Sequence, residues 1–143
     1  MATIPKTLAC ASALLFCVGS AAQAACTNAS LIGSYGFQEQ GMHDEAAGFV
    51  EFRSIGTVTF DGHGNGLKND TLWFSDRSIN PVTDTLIYSV QPDCSFTFSY
   101  LEYAETFEGV IVDGGLKLLY METSGGIIRS GQAERIGQRI RGD

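Results

Sequence analysis

Between Leu31 and Glu134 the chain repeats short runs in which apolar and polar residues alternate, separated by clusters of Gly, Asn and Asp. A period of two puts every second side chain on one face of a strand; a helix instead needs apolar residues three and four apart. No run of helical length shows that second pattern over this region. The pattern predicts strands over Leu31–Gln40, Gly48–Phe60, Gly66–Ser75, Thr85–Gln91, Phe96–Tyr103, Thr106–Asp113, Leu116–Thr123 and Ile127–Glu134. In FVEFRSIGTVTF the stretch Ser54 to Gly56 is expected to kink the strand or split it. The links are mostly tight, so successive strands should pair antiparallel as a meander. About eight such strands close most readily into an up-and-down barrel, which removes exposed edges. The expected fold is an all-β up-and-down barrel, with a two-sheet sandwich as the alternative.

Two hairpins can be registered. A two-residue turn at Gly125-Gly126 sets Glu122 opposite Arg129 and Tyr120 opposite Gly131. A turn at Gly114-Gly115 sets Ile111 opposite Leu118, Gly109 opposite Tyr120 and Phe107 opposite Glu122. One face of this ribbon then carries Phe107, Ile111, Leu118 and Tyr120, with Glu122 and Arg129 at its end. The other carries Val110, Val112, Leu119, Met121 and Ile128. A sheet with one wet face alternates more sharply than this. The second face is therefore expected to be covered, most simply by a second copy in a homo-oligomer.

The same alternation selects the candidate lining of the barrel. SYGFQEQG sends Tyr35, Phe37 and Glu39 to one face, and FTFSYLEY sends Phe96, Phe98, Tyr100 and Glu102 to one face. With Trp73, Tyr120, Glu122 and Arg129 these make an aromatic lumen with a few convergent polar groups, the usual composition of a small-molecule pocket. A carboxylate held among aromatic rings has a raised pKa and is fit to move protons. The competing reading is a filled aromatic core with Glu122 and Arg129 as a cross-strand ion pair at the rim.

Charge and cysteines set the compartment. Residues 1–24 read as a signal peptide: Lys6, an apolar run from Leu8 to Val18, then Ala22-Gln23-Ala24 as a cleavage pattern. The run is shorter than the ~20 apolar residues of a membrane-spanning helix. Cleavage near Ala24 gives a secreted or periplasmic protein with no membrane span, one barrel domain over 25–135 and a flexible tail over 136–143. The remaining 119 residues carry eight basic and sixteen acidic side chains, a net charge of −8. Such a balance argues against nucleic acid as a partner. Cys10 and Cys17 leave with the leader, and Cys26 and Cys94 most simply form one disulfide in an exported domain.

The run TVTFDGHGNG invites a phosphate or metal reading. No Lys follows the glycines, no βαβ unit surrounds them, and the acidic spacing is not that of a calcium loop. Asp-Gly and Asn-Gly pairs between two strand patterns make a hairpin turn instead. His43 and His63 belong to no local nucleophile or metal motif, so no metal, cofactor or catalytic residue is assigned.

Cys26 ahead of LIGSYGF, then GTVTFDGHGN, then YSVQPDCSF, resembles small secreted bacterial proteins with a calycin-like barrel, near the allene oxide cyclase and lipocalin shapes. The resemblance covers most of the chain beyond residue 24 and rests on glycines, aromatics and cysteines. It implies eight strands and a Cys26–Cys94 bond. Relatives of that shape include binders of apolar ligands and cyclases of unsaturated substrates. It carries over no catalytic residue, because the matched positions are structural. The expectation is an exported barrel binding a small apolar or aromatic ligand. The alternatives are a cofactor-free cyclase or isomerase using a buried Glu or Tyr, and a packed structural or envelope-assembly protein.

Overall fold

The computed structural model describes residues 25–46, 48–75, 77–124 and 128–137. The expected leader, the Gly125-Gly126 turn and most of the expected tail lie outside the described residues. A short 310 turn, Asn28–Leu31, precedes strands β1 (Gly33–Glu45), β2 (Gly48–Phe60), β3 (Asn65–Phe74) and β4 (Ser78–Val90). Strands β5 (Ser95–Tyr100), β6 (Thr106–Val112), β7 (Lys117–Glu122) and β8 (Ile128–Arg135) follow. Each strand pairs antiparallel with the next and β8 pairs with β1, so the eight strands form a closed barrel rather than a sandwich. Among the described residues no helix is long and apolar enough to cross a membrane.

Strand β2 runs unbroken through Ser54 to Gly56, so the strand is not split there. Strand β1 continues to Glu45, past the expected end at Gln40, because it pairs with β2 residue by residue as far as Glu45–Gly48. Strand β4 starts at Ser78, ahead of the expected Thr85. Pro81 lies where the β3–β4 register slips between Asp70–Val82 and Leu72–Ile79, and an irregular pairing tolerates a residue with no N–H to donate. Strand β5 stops at Tyr100, three residues short of its expected end, and the chain bends through residues 101–103.

The hairpin expected at Asp61 is present. Asp61 Oδ1 accepts from the backbone N–H of His63 at 2.7 Å and of Asn65 at 3.0 Å, and Oδ2 accepts from Asn65 Nδ2 at 2.8 Å. Gly62 and Gly64 take φ of 80° and 113° there, conformations that favour glycine. These hydrogen bonds, first that of the Asn65 side chain, hold the Asp61 carboxyl down at about 2. The pairs Gly109–Tyr120, Phe107–Glu122, Ile111–Leu118 and Tyr120–Gly131 form as expected. The β6–β7 link spans residues 113–116, between the paired Val112 and Lys117, and it gives the same register as a two-residue turn at Gly114-Gly115.

One end of the barrel is tied shut. Cys26 and Cys94 are bonded across 68 positions of sequence, a closure worth ~2–4 kcal/mol. Asn28 Oδ1 accepts from the Val90 N–H at 2.8 Å, while the Tyr88 hydroxyl donates to the Asn28 carbonyl at 3.1 Å. Arg135 Nη2 donates to the Ser30 carbonyl at 3.1 Å and the Tyr35 hydroxyl at 2.7 Å, and its Nε reaches the Gly115 carbonyl at 3.2 Å. Above this floor the lumen is filled with rings. Phe98 stacks on Phe107 at 4.4 Å between centroids and meets Tyr120 edge-on at 5.4 Å. Such pairs add ~0.5–1.5 kcal/mol each beyond their burial.

The rings fit because large and small residues alternate around one tilted ladder, Ser54–Glu39–Gly131–Tyr120–Gly109–Phe96. The Tyr120 ring covers Gly131 and the Phe96 ring covers Gly109. A Cβ at either glycine would lie 2.6 Å from the ring above it. Gly131→Ala is therefore expected to lower unfolding free energy in urea by ~1–3 kcal/mol, the range for overpacking a filled core. A variant as stable as the parent would show that Tyr120 has room to move.

Candidate functional site

Nine of the eleven residues expected to line the barrel do face its interior: Tyr35, Phe37, Glu39, Phe96, Phe98, Tyr100, Tyr120, Glu122 and Arg129 are all buried. Trp73 and Glu102 lie outside it, a correction to the expected lining. Trp73 is 43% exposed because β3 presents its even-numbered residues inward, so its neighbour Phe74 takes the buried position. Glu102 follows the end of β5 and is exposed; its carboxylate accepts from the Thr85 N–H at 3.3 Å, at the rim.

The parity of β3 brings in residues that the alternation of apolar side chains does not reveal. Phe60 pairs with Gly66 across the Asp61 hairpin, and Val58 with Lys68, so Lys68 and Asp70 enter the lumen behind Val58 and Phe60. Lys68 in turn pairs with Asp84 of β4. A turn of that length, read as a register, is the sequence signal that identifies them. The outcome is a buried charged layer.

Lys68 Nζ lies 3.0 Å from Asp70 Oδ2, 3.6 Å from Glu39 Oε2 and 3.9 Å from Asp84 Oδ2. It also sits over the rings of Tyr100 and Phe37, at 4.9 and 5.2 Å from their centroids. The Ser54 hydroxyl donates to Asp70, and the Tyr120 hydroxyl donates to Glu39 Oε1 at 3.1 Å. Nearer the rim, Arg129 makes two hydrogen bonds to Glu105, at 3.0 and 3.2 Å, and its Nε is 3.4 Å from Glu122 Oε2. Its guanidinium lies 4.7 Å from the Phe52 ring centre. Phe52 packs on Phe74, and both are buried.

Four carboxylates and two cations are buried in this layer: Glu39, Asp70, Asp84 and Glu122 against Lys68 and Arg129. Burial pushes the Glu39 carboxyl up, with Lys68 and Arg129 opposing. Asp84 is likewise raised by burial, against Lys68. Burial and the neighbouring Glu39 hold the hydroxyls of Tyr100 and Tyr120 well above the ordinary phenol range. Burial works to lower Arg129, but Glu105, Glu39 and Glu122 prevail and raise it. Among the described residues, the buried side-chain atoms without a hydrogen-bond partner are Glu39 Oε2, Asp70 Oδ1, Glu122 Oε2 and Arg129 Nε. All four belong to this one layer. Three of them are nonetheless ion-paired, Glu122 Oε2 with Arg129 Nε at 3.4 Å and Glu39 Oε2 with Lys68 Nζ at 3.6 Å, so the layer is held by charge where it lacks hydrogen bonds.

A cavity of about 20 Å³ lies inside the barrel, bordered by Glu39, Lys68, Phe37, Phe98, Tyr100 and Tyr120 among others. That is room for about one water, against ~300–1,000 Å³ for the usual small-molecule pocket. Among the described residues no group of three or more His, Cys, Asp or Glu side chains is placed to hold a metal ion.

The chain is thus a closed antiparallel eight-stranded β-barrel with a charged layer inside. No family model matches the chain, and no curated protein matches it. Among solved structures it is similar to a redesigned β-barrel, mFAP1, determined bound to DFHBI. That likeness has a TM-score of 0.48 and 19% sequence identity, and covers 76% of this chain and 97% of the other.

A carboxyl whose folded-state pKa exceeds its unfolded value holds its proton more tightly in the folded chain. Its stabilisation is complete below the unfolded pKa and is lost as pH rises through the folded one. Glu39, with an ordinary value of 4.5, and Asp84 therefore make the folded state weaken as pH rises above the ordinary carboxylate range. Glu39→Gln keeps an acceptor for Tyr120 and removes the titration. Urea unfolding of the variant should show a flatter pH profile above about 4.5 and a higher midpoint at mildly alkaline pH. An unchanged slope would exclude Glu39 as its source.

Proposed function

We propose that this is an exported binding barrel that takes a small guest against the charged layer of its lumen. The observation that carries the reading is the gathering in that layer of the buried polar atoms that make no hydrogen bond, beside a cavity walled by aromatic rings. The sequence pattern of residues 1–24 and the pairing of Cys26 with Cys94 support export. The small free volume constrains the guest. A drug-sized apolar or aromatic ligand enters only if rings such as Phe98 and Tyr120 swing aside, whereas a compact polar guest needs little rearrangement. A cofactor-free cyclase or isomerase would draw on the Glu39–Tyr120 pair. The raised Tyr120 hydroxyl is a reluctant acid, which leaves Glu39 as the group to move a proton.

A second reading has its own support. The interior is nearly full, and the outer face of β6, β7 and β8 carries Val110, Leu119, Met121 and Ile128, between 41% and 78% exposed. A packed barrel working through that face, most simply as a homodimer, would need no lumenal guest.

Native mass spectrometry of the purified protein separates the two. The binding reading expects a monomer with a copurified small molecule, or one that takes up the neutral probe N-phenyl-1-naphthylamine with a gain in fluorescence. A dimer with neither bound guest nor probe uptake would reject it in favour of the packed scaffold.

A further inference from the structure

The charged layer is short of cations, and its geometry shows what kind of cation it suits. Lys68 already places one ammonium group there, held by Asp70, Glu39 and Asp84 and faced by the rings of Phe37 and Tyr100. Carboxylate oxygens below and aromatic faces at the sides recognise an ammonium ion, which donates several hydrogen bonds and is attracted to ring quadrupoles. One ammonium does not neutralise the layer. Lys68 and Arg129 face four buried carboxylates, and Arg129 is further shared with Glu105. Buried charge of this kind is compensated either by protonation or by a counter-cation.

Glu39 is the residue on which the two routes meet. It is 4% exposed and borders the cavity; its Oε1 accepts from Tyr120, and its Oε2 makes no hydrogen bond but stands 3.6 Å from Lys68 Nζ. The cavity has the volume of one water, which is close to that of an ammonium ion. Phe98, Tyr100 and Tyr120 border it. A hydrated divalent metal suits it less well, since hard cations want a shell of oxygens rather than rings.

We infer that the lumen binds ammonium or a short primary alkylammonium ion, with Glu39 Oε2 as its principal acceptor and the Phe98, Tyr100 and Tyr120 rings as its walls. This rests on the lumenal-binding reading and names its ligand class. Where Glu39 carries a proton before binding, the ion takes that proton's place: the carboxyl O–H breaks, the proton leaves to buffer, and the carboxylate accepts a hydrogen bond from the ammonium. Asp70, Asp84, Lys68 and Arg129 remain around it as the surrounding charges, with Ser54 holding Asp70 in position.

The test is isothermal titration of the purified protein with ammonium chloride and methylammonium chloride at constant ionic strength, set against potassium and tetramethylammonium chlorides. Each titration is run in two buffers of different ionisation enthalpy. Ammonium and methylammonium should bind, tetramethylammonium should not, and the buffer dependence should report a released proton. Glu39→Gln should weaken binding by about tenfold or more, the loss of one charge-assisted hydrogen bond, and should abolish proton release. Glu108→Gln, an exposed site on β6, should bind as the parent does. Circular dichroism establishes that each variant is folded. Equal heats from potassium, or undiminished ammonium binding by folded Glu39→Gln, would overturn the inference. If N-phenyl-1-naphthylamine binds while the ammonium series does not, the cation inference falls and the lumenal-binding reading stands. If none binds, both fall.

Discussion

The Lys68 side chain is 4% exposed, inside a barrel only eight strands around. Removing such a charge from water is expensive unless opposite charges and hydrogen bonds replace the solvent. Much of the lumen's arrangement follows from meeting that requirement. Asp70 and Asp84 approach from the same strand and the next, Glu39 from β1 two strands away, and Phe37 and Tyr100 turn ring faces to the nitrogen. The acids then exceed the bases and create their own demand. Burial lifts Glu39 and Asp84, and Arg129 is drawn in from β8 toward Glu122 and Glu105.

A barrel can hold such a layer because its two ends differ. At one end the disulfide, the Asn28–Leu31 turn and the Arg135 contacts make a rigid floor under Tyr35 and Phe60. At the other, Phe52 and Phe74 pack together, and Arg129 joins the Phe52 ring to Glu105. The charged groups are thereby kept from bulk water on both sides. Stacked aromatics between floor and charges fill the middle, with Gly131 and Gly109 providing the space that Tyr120 and Phe96 occupy.

How much of this is legible in the chain depends on which physical signal a strand carries. The β6–β7–β8 ribbon can be registered because Gly114-Gly115 fixes one turn and both faces keep a period of two. The Tyr35, Phe37, Glu39 face is equally plain. Strand β3 misleads, because GLKNDTLWF has apolar residues at both parities, and apolar-inward logic favours Leu67 and Trp73 over Lys68 and Asp70. Pairing through the Asp61 hairpin resolves it, since Phe60 opposite Gly66 commits the even positions to the lumen. Glu102 fails for another reason: strand geometry ends at Tyr100, and parity means nothing beyond the last paired residue. The far half of β1 is hidden because GMHDEAAG has no apolar alternation; its partner strand supplies the order.

Stability alone does not account for the charged layer. Apolar residues of similar volume at Lys68, Asp70, Asp84 and Glu39 would fill the same space without leaving oxygens short of a hydrogen bond, and exchanges of that kind in other buried ion clusters are neutral or stabilising. Removing Lys68 by itself is different, since it would strand three acids around an apolar gap. The layer is therefore interdependent: each charge is tolerable because of the others, and the set as a whole costs stability that a hydrocarbon core would not. Glu39 Oε2, which makes no hydrogen bond and stands 3.6 Å from Lys68 Nζ, is the residue of that cost. Glu39 borders the lumenal cavity together with rings of a kind that attract cations. A buried carboxylate beside a cavity the size of one water is the feature on which the proposed lumenal binding rests.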